Sequence, residues 1–169
     1  MIAKRIELLL ATAARTRGNF KLVILAGADF APYRAEVHRL GLEGRVVVRE
    51  RVTDIEDYLC AADAGLFTSE MESFCLSILE LMNFSVPSVS TRVGGIPEVV
   101  EDGRSGVLVD SDDAGELARA VEGLLGDPAR REALGRAAHA RARELFSAER
   151  IVGRYVELYR RVCAGPARG

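Results

Sequence analysis

The stretch Ala64-Gly-Leu-Phe-Thr-Ser-Glu-Met-Glu-Ser-Phe-Cys-Leu-Ser-Ile-Leu-Glu-Leu-Met-Asn-Phe-Ser-Val-Pro-Ser-Val-Ser90 decides the fold. Ala64–Thr68 reads as a short buried strand. Leu76–Phe84 carries helical periodicity, and a loop, Ser69–Cys75, feeds into it. Pro87 then opens a second strand, Ser88–Ser90. Strand, helix and strand at this spacing form a βαβ unit, which pairs its strands in parallel.

The pattern extends in both directions. Upstream, residues 2–17 read as a helix with Ile6, Leu9, Leu10 and Ala13 on one face. Lys21–Ala26 reads as a strand ended by Gly27. Residues 31–40 read as a helix stopped by Gly41 at C′, and Arg45–Arg49 as another strand. Thr53-Asp-Ile-Glu56 has the spacing of a capping box that opens a short helix to about Ala61. Downstream, Gly106–Val109 reads as the last strand. Helices follow over roughly 114–125, 128–145 and 148–162, with Asp127-Pro128 as N-cap and N1. The expected fold class is α/β, a doubly wound parallel sheet with helices on both faces. A doubly wound domain opens with a strand and this chain opens in a helix, so a first strand is expected to be missing.

One domain accounts for the 169 residues, with residues 164–169 as a frayed tail. Apolar residues make up 49% and charged residues 28%, which excludes a disordered or collagen-like chain. The net charge of −2 argues against a polycationic nucleic-acid binder. Residues 127–169 carry ten arginines against five acids, which suits a solvated helical face with internal pairing and, as the other reading, an anionic surface or partner. Cys60, Cys75 and Cys163 make no CxxC pair, so neither a zinc site nor a disulfide framework is expected. Neither a signal peptide nor a membrane span is legible. A cytoplasmic chain is expected, with no feature that indicates a membrane association.

Ligands of open α/β sheets bind beyond the carboxyl ends of the strands. The richest loop there is Ser69–Cys75, with Glu70, Glu72 and Phe74 running into a helix start. A helix N-terminus offers free N–H groups and positive potential to an anion. Glu72 and Glu80 are eight residues apart, so their backbones lie on the order of 10 Å apart if helix fills the interval. That suits two ends of an extended polyhydroxyl ligand with an anionic middle. Other readings stand beside this one. Ser77-Ile-Leu-Glu80 also has capping-box spacing, Glu70 and Glu72 suit a solvated loop, and Phe74 suits a core. A helix N-terminus would lower the Cys75 thiol pKa, but His38 and His139 read as structural and no catalytic base accompanies the thiol.

Glu72-Ser-Phe-Cys-Leu-Ser-Ile-Leu-Glu80 resembles the E-x7-E signature of retaining GT-B glycosyltransferases, especially glycosyltransferase family 4. Ala61-Ala-Asp63, Val93-Gly-Gly-Ile-Pro-Glu-Val-Val100, Asp102-Gly103 and Gly106 extend the resemblance over residues 2–162. It implies the Rossmann-like C-terminal, donor-binding domain, residues 1–163, of a two-domain enzyme whose N-terminal acceptor domain is absent. Such enzymes move a sugar from a nucleotide-diphosphate donor, UDP among them, to an acceptor with retention and without a metal. By the same resemblance Glu72 and Lys4 are catalytic: Glu72 at the donor sugar, Lys4 neutralising the departing diphosphate. Glu80 holds the ribose hydroxyls. Backbone N–H groups of Ser73, Phe74, Cys75 and Leu76 cradle the diphosphate, and the turn at Arg51-Val52 touches the base. No cofactor or metal is expected beyond the donor. The acceptor half, or a separate chain that supplies it, is the expected partner, and the chain alone is expected to be inactive. The alternative is a non-catalytic nucleotide-sugar binding module completed by a partner. The sequence departs from the family at Cys75, Ser85 and Glu50, where glycine is usual.

Overall fold

The computed structural model describes residues 4–110 and 112–163. Its elements run α1 (Ile6–Arg15), β1 (Leu22–Ala26), α2 (Ala31–Arg39), β2 (Val46–Glu50), α3 (Glu56–Ala61), β3 (Gly65–Phe67), α4 (Leu76–Asn83), β4 (Ser88–Thr91), α5 (Ile96–Val99), β5 (Val107–Val109), α6 (Ala114–Leu125), α7 (Pro128–Phe146) and α8 (Ala148–Cys163). All strand pairs are parallel, and the expected α/β class is the one observed. The expected single sheet is not. The strands form two sheets, β1-β2 and β3-β4-β5, and no bond joins β1 to β3.

Side-chain alternation along the strands sorts the helices onto faces. Leu66, Val89, Val107 and Val109 meet α1 and α6 through Leu8, Leu117 and Leu124. Phe67 and Leu108 meet the opposite layer, Ile78 and Met82 of α4, Ile96 and Val99 of α5, and Ala138 of α7. In the smaller sheet, Leu22, Ile24, Val46 and Val48 pack with Leu9, Leu10 and Ala13 of α1 and with Phe30 and Leu42 around α2. Helix α1 thus lies under both sheets.

Several boundaries differ from the expected ones. The first helix is shorter than residues 2–17: residues 1–3 lie outside the described residues, Arg5 is left-handed at φ 47°, and Thr16 is extended. Neither proposed capping box forms. Helix α3 starts at Glu56 after Ile55, with no side-chain cap. Helix α4 starts at Leu76 after Cys75, so Ser77 and Glu80 stand inside the helix. A short helix, α5, follows the Gly94-Gly95 turn and was not foreseen. Pro97 lies in its first turn, where a missing N–H costs nothing. Gly41 ends α2 as expected, at φ 65°, with Gly41 N–H on the His38 carbonyl and Leu42 N–H on Val37. The frayed tail of 164–169 lies outside the described residues.

Candidate functional site

All strands are parallel, so the loops at their carboxyl ends gather along one edge of each sheet. The Ser69–Cys75 loop is held there by polar contacts and by backbone packing. Thr91 Oγ1 at the end of β4 donates to the Ser69 carbonyl at 2.7 Å. Gly95 N–H donates to the Glu72 carbonyl at 2.9 Å. A Cβ on Gly94 would run into the Glu72 carbonyl, and one on Gly95 into the Ser73 carbonyl. Two glycines therefore let the turn after β4 press against the loop, backbone on backbone.

This clamp fixes Glu72. Its side chain is only 6% exposed, and Oε2 accepts from Lys4 Nζ at 2.6 Å. Ser69 Oγ, also buried, stands 3.5 Å from the same oxygen. A buried carboxylate needs such partners, because an unpaired charge out of water is costly. Lys4 is positioned in turn by Thr68 Oγ1, which donates to the Lys4 and Arg5 carbonyls at 3.1 and 3.2 Å. Arg5 reaches Asp112 at 2.5 Å and so ties the entry of α1 to the loop after β5. In the loop after β4, Arg92 pairs with Asp102 at 2.5 Å and Asp110 at 2.6 Å.

Glu80 behaves differently. It is exposed on α4, and among the described residues its side chain has no hydrogen bond or ion pair. It stands four residues after Leu76, hence on the same helix face and about 6 Å further along the axis. Leu76 and Ser77 are exposed at the helix start, and no side chain caps it. The α4 N-terminus is thus open to solvent between a buried, paired carboxylate and an exposed, unpaired one.

The remaining expected residues divide. Ser73 is exposed beside the helix start. Phe74 turns inward and meets Phe146 edge-on at 5.4 Å, so its side chain serves the core. Cys75 is buried at φ 65°. Burial pushes its thiol up, against the lowering pull of the Ile78 N–H and the Lys4 charge. The lowered pKa expected from the helix N-terminus is not found, because the thiol points into the core. Arg51, at φ 55°, and Val52 follow β2 on the smaller sheet. Arg51 N–H donates to the Ala26 carbonyl, which ties that turn to the end of β1. Glu50 turns away from the turn: Oε1 accepts from Phe30 N–H at 3.0 Å, at the start of α2. Sequence reasoning missed Thr68, Ser69, Thr91 and Arg5 as supports. The adjacent glycines Gly94 and Gly95 were the one signal in the sequence of the close backbone contact behind the loop.

Among the described residues no group of three His, Cys, Asp or Glu side chains is placed to hold a metal. None of their helices is long and apolar enough to cross a membrane.

Known proteins resemble this arrangement. The chain is 34% identical over 145 residues to N-acetyl-alpha-D-glucosaminyl L-malate synthase of Bacillus anthracis, covering 85% of this chain and 38% of that protein. It is 36% identical over 171 residues to alpha-maltose-1-phosphate synthase of Mycobacterium tuberculosis, covering 92% and 44%. The chain thus spans less than half the length of these relatives. Sucrose-phosphate synthase of Thermosynechococcus elongatus superposes with a TM-score of 0.89 at 30% identity, over 96% of this chain and 43% of that one. The Anabaena protein HepE in complex with UDP gives 0.86 at 26% identity, over 92% and 45%. These structural neighbours are GT-B glycosyltransferases. Residues 1–127 match the family described as Glycosyl transferases group 1. With three quarters of its length matched, the chain belongs to that family.

Proposed function

We propose that this chain is the donor-binding part of a retaining glycosyltransferase of the family 4, E-x7-E type. The observation that carries the reading is the contrast between Glu72 and Glu80 across an open helix start. Glu72 is buried and fixed by Lys4, whereas Glu80 is exposed and unengaged. The complex of HepE with UDP supports a nucleotide-sugar donor.

In this reading Glu80 accepts hydrogen bonds from the two ribose hydroxyls. The diphosphate takes the free N–H groups of Ser73, Phe74, Cys75 and Leu76, aided by the helix dipole. The backbone of Arg51 and Val52 meets the base. Glu72 stands at the donor sugar. Lys4 offsets the charge that builds on the diphosphate as the anomeric C–O bond breaks, an electrostatic role that needs no metal. The acceptor oxygen then bonds to the anomeric carbon on the face the diphosphate left, and the acceptor's proton passes to the departing diphosphate. An acceptor-binding half, from further chain or a separate subunit, completes the enzyme, and residues 4–163 alone transfer little or no sugar. The three free cysteines suit the reducing cytoplasm.

Isothermal titration calorimetry against UDP, GDP and ADP, with and without EDTA, tests the reading. One nucleotide is expected to bind saturably, unaffected by EDTA and at least tenfold more weakly to Glu80→Ala. Glu80 is exposed and unpartnered, so this variant keeps its stability within about 0.5 kcal/mol. Lost affinity then reports a lost contact. No binding to a folded chain, or equal binding by the variant, overturns the assignment.

A further inference from the structure

A single cation supports the Glu72 carboxylate. Lys4 Nζ makes its one ion pair among the described residues, reaching the buried oxygen from a half-exposed position. The hydroxyl of Ser69 adds only a long contact, 3.5 Å from the same oxygen. The loop that carries Glu72 is wedged against Gly94 and Gly95, so the carboxylate stays in place when its partner moves.

No other charge stands ready to replace Lys4. Arg5 is engaged by Asp112, and Arg92 by Asp102 and Asp110. The Cys75 thiol, at the start of α4, feels the Glu72 charge but is kept protonated by burial. Glu70, on the same loop, is exposed and brings only a second negative charge. The turn after β4 gives its Gly95 N–H to the Glu72 carbonyl, not to the carboxylate. Lys4 is meanwhile within electrostatic reach of the open helix start. Its charge acts on Cys75, the residue that precedes α4.

We propose, resting on the donor-binding reading above, that Lys4 is a counter-ion shared between Glu72 and the diphosphate, and that Glu72 takes up one proton from solvent when a nucleoside diphosphate binds. A diphosphate at the α4 start draws the half-exposed ammonium to itself. Glu72 is then a buried carboxylate without a cation and beside another anion. Burial and like charge both favour its neutral form. The proton goes to Oε2, the oxygen that Lys4 vacates. The neutral acid no longer repels the diphosphate, and it presents an O–H donor to the donor sugar. When the diphosphate departs, Lys4 returns to Glu72 and the proton to solvent.

Isothermal titration calorimetry at pH 7, in buffers of low and high ionisation enthalpy, counts the protons. The titrants are UDP, GDP and ADP, carried through with whichever binds. Glu72→Gln and Lys4→Met are run beside the unsubstituted chain, and subtracting Glu72→Gln cancels the proton of the nucleotide's own phosphate. An excess uptake of about one proton over Glu72→Gln is expected. The bound state holds the extra proton, so affinity falls as pH rises. From pH 6 to 8 the fall is expected to exceed that of Glu72→Gln by up to about tenfold per pH unit. In Lys4→Met the carboxyl has no cation to lose, so no excess is expected there. Equal proton counts in the chain and Glu72→Gln overturn the proposal and leave the donor reading standing, with Lys4 bridging both anions. Excess uptake that survives in Lys4→Met also overturns it, because Lys4 is then not the shared ion. No binding by any nucleotide overturns the donor reading and this proposal with it. Should Glu72→Gln not fold, the pH slopes of the chain and Lys4→Met decide, and equal slopes overturn the proposal.

Discussion

The Lys4 ammonium and the Glu72 carboxylate meet at 2.6 Å across 68 residues of sequence. The pair is lopsided, because the carboxylate is 6% exposed and the lysine side chain 51%. Removing Lys4 leaves Glu72 buried with only the distant Ser69 hydroxyl. Lys4→Met is therefore expected to cost about 1–2 kcal/mol, between an exposed and a fully buried ion pair. Glu72→Gln removes the charge from the buried side, and adding it to Lys4→Met is expected to restore part of the loss. Urea unfolding of the two single variants and the double variant measures that coupling. If Lys4 also faces the diphosphate, Lys4→Met weakens nucleotide binding beyond what its stability loss explains. Unchanged affinity would leave the pair a purely structural brace.

Helix α4 is bracketed by two residues that adopt a glycine-like conformation, Cys75 at φ 65° and Ser85 at φ 59°. Left-handed geometry costs a side chain about 1 kcal/mol. Ser85 is exposed and closes the helix, its N–H on Met82 O and the Val86 N–H on Leu81 O. Nothing is lost when its side chain goes, so Ser85→Gly is expected to stabilise by about 0.5–1 kcal/mol. Cys75 has the same strain, but its thiol lies in the core with Ile78 and Met82. The relief and the lost burial are of similar size, so Cys75→Gly is expected to change stability little. Thermal unfolding separates the two, and a stabilisation of the Cys75 variant as large as that at Ser85 would contradict the packing argument.

The buried thiol also makes a pH prediction. Cys75 is held above its ordinary pKa by desolvation, whereas in the unfolded chain it ionises near pH 8.5, roughly. Above that pH the folded state binds more protons than the unfolded one, so stability falls as pH rises. Cys75→Ala is expected to flatten the decline, measured as urea midpoints from pH 8 to 10. At pH 7.5 iodoacetamide is expected to label Cys60 and Cys163, which are exposed, and to spare Cys75 in the folded chain. Labelling of all three at one rate would show that the thiol is accessible.

The elements were legible where periodicity and punctuation agreed. Asp127-Pro128 opens α7, with Asp127 Oδ1 accepting from Arg130 N–H. Gly41 closes α2 with the expected carbonyl bonds. The capping boxes misled because their spacing recurs by chance inside helices, and only geometry distinguishes an N-cap from the second residue of a turn. Glu50 shows the same limit. From sequence it is an acid where glycine is usual, but its carboxylate is engaged by the Phe30 amide, 20 residues away. The site was legible as a motif, Glu72 to Glu80, and its supports were not. Thr68 and Thr91 act through bonds to distant backbone carbonyls, which local pattern does not encode, and Ser69 acts through the Glu72 carboxylate, a contact set by the loop's conformation.

Gly94 and Gly95 of the clamp that fixes Glu72, set beside Gly103 outside it, separate conformation from contact. Gly103 has a positive φ of 72° with no atom within 4 Å of an added Cβ. Gly103→Ala therefore carries only the left-handed penalty, about 1 kcal/mol. Gly95 has an ordinary φ of −82°, but its added Cβ would overlap the Ser73 carbonyl. Gly94 combines both, with φ 51° and the Glu72 carbonyl in the way. Because backbone cannot rotate aside as a side chain does, Gly95→Ala is expected to cost more than Gly103→Ala, above about 2 kcal/mol, and Gly94→Ala the most. Both clamp variants push the Ser69–Cys75 loop, so both are expected to weaken nucleotide binding, while Gly103→Ala leaves it unchanged. Urea unfolding and calorimetry on the three variants check the order. If Gly95→Ala proves as mild as Gly103→Ala, the loop is not wedged against the turn, and the fixed position of Glu72 must come from Lys4 alone.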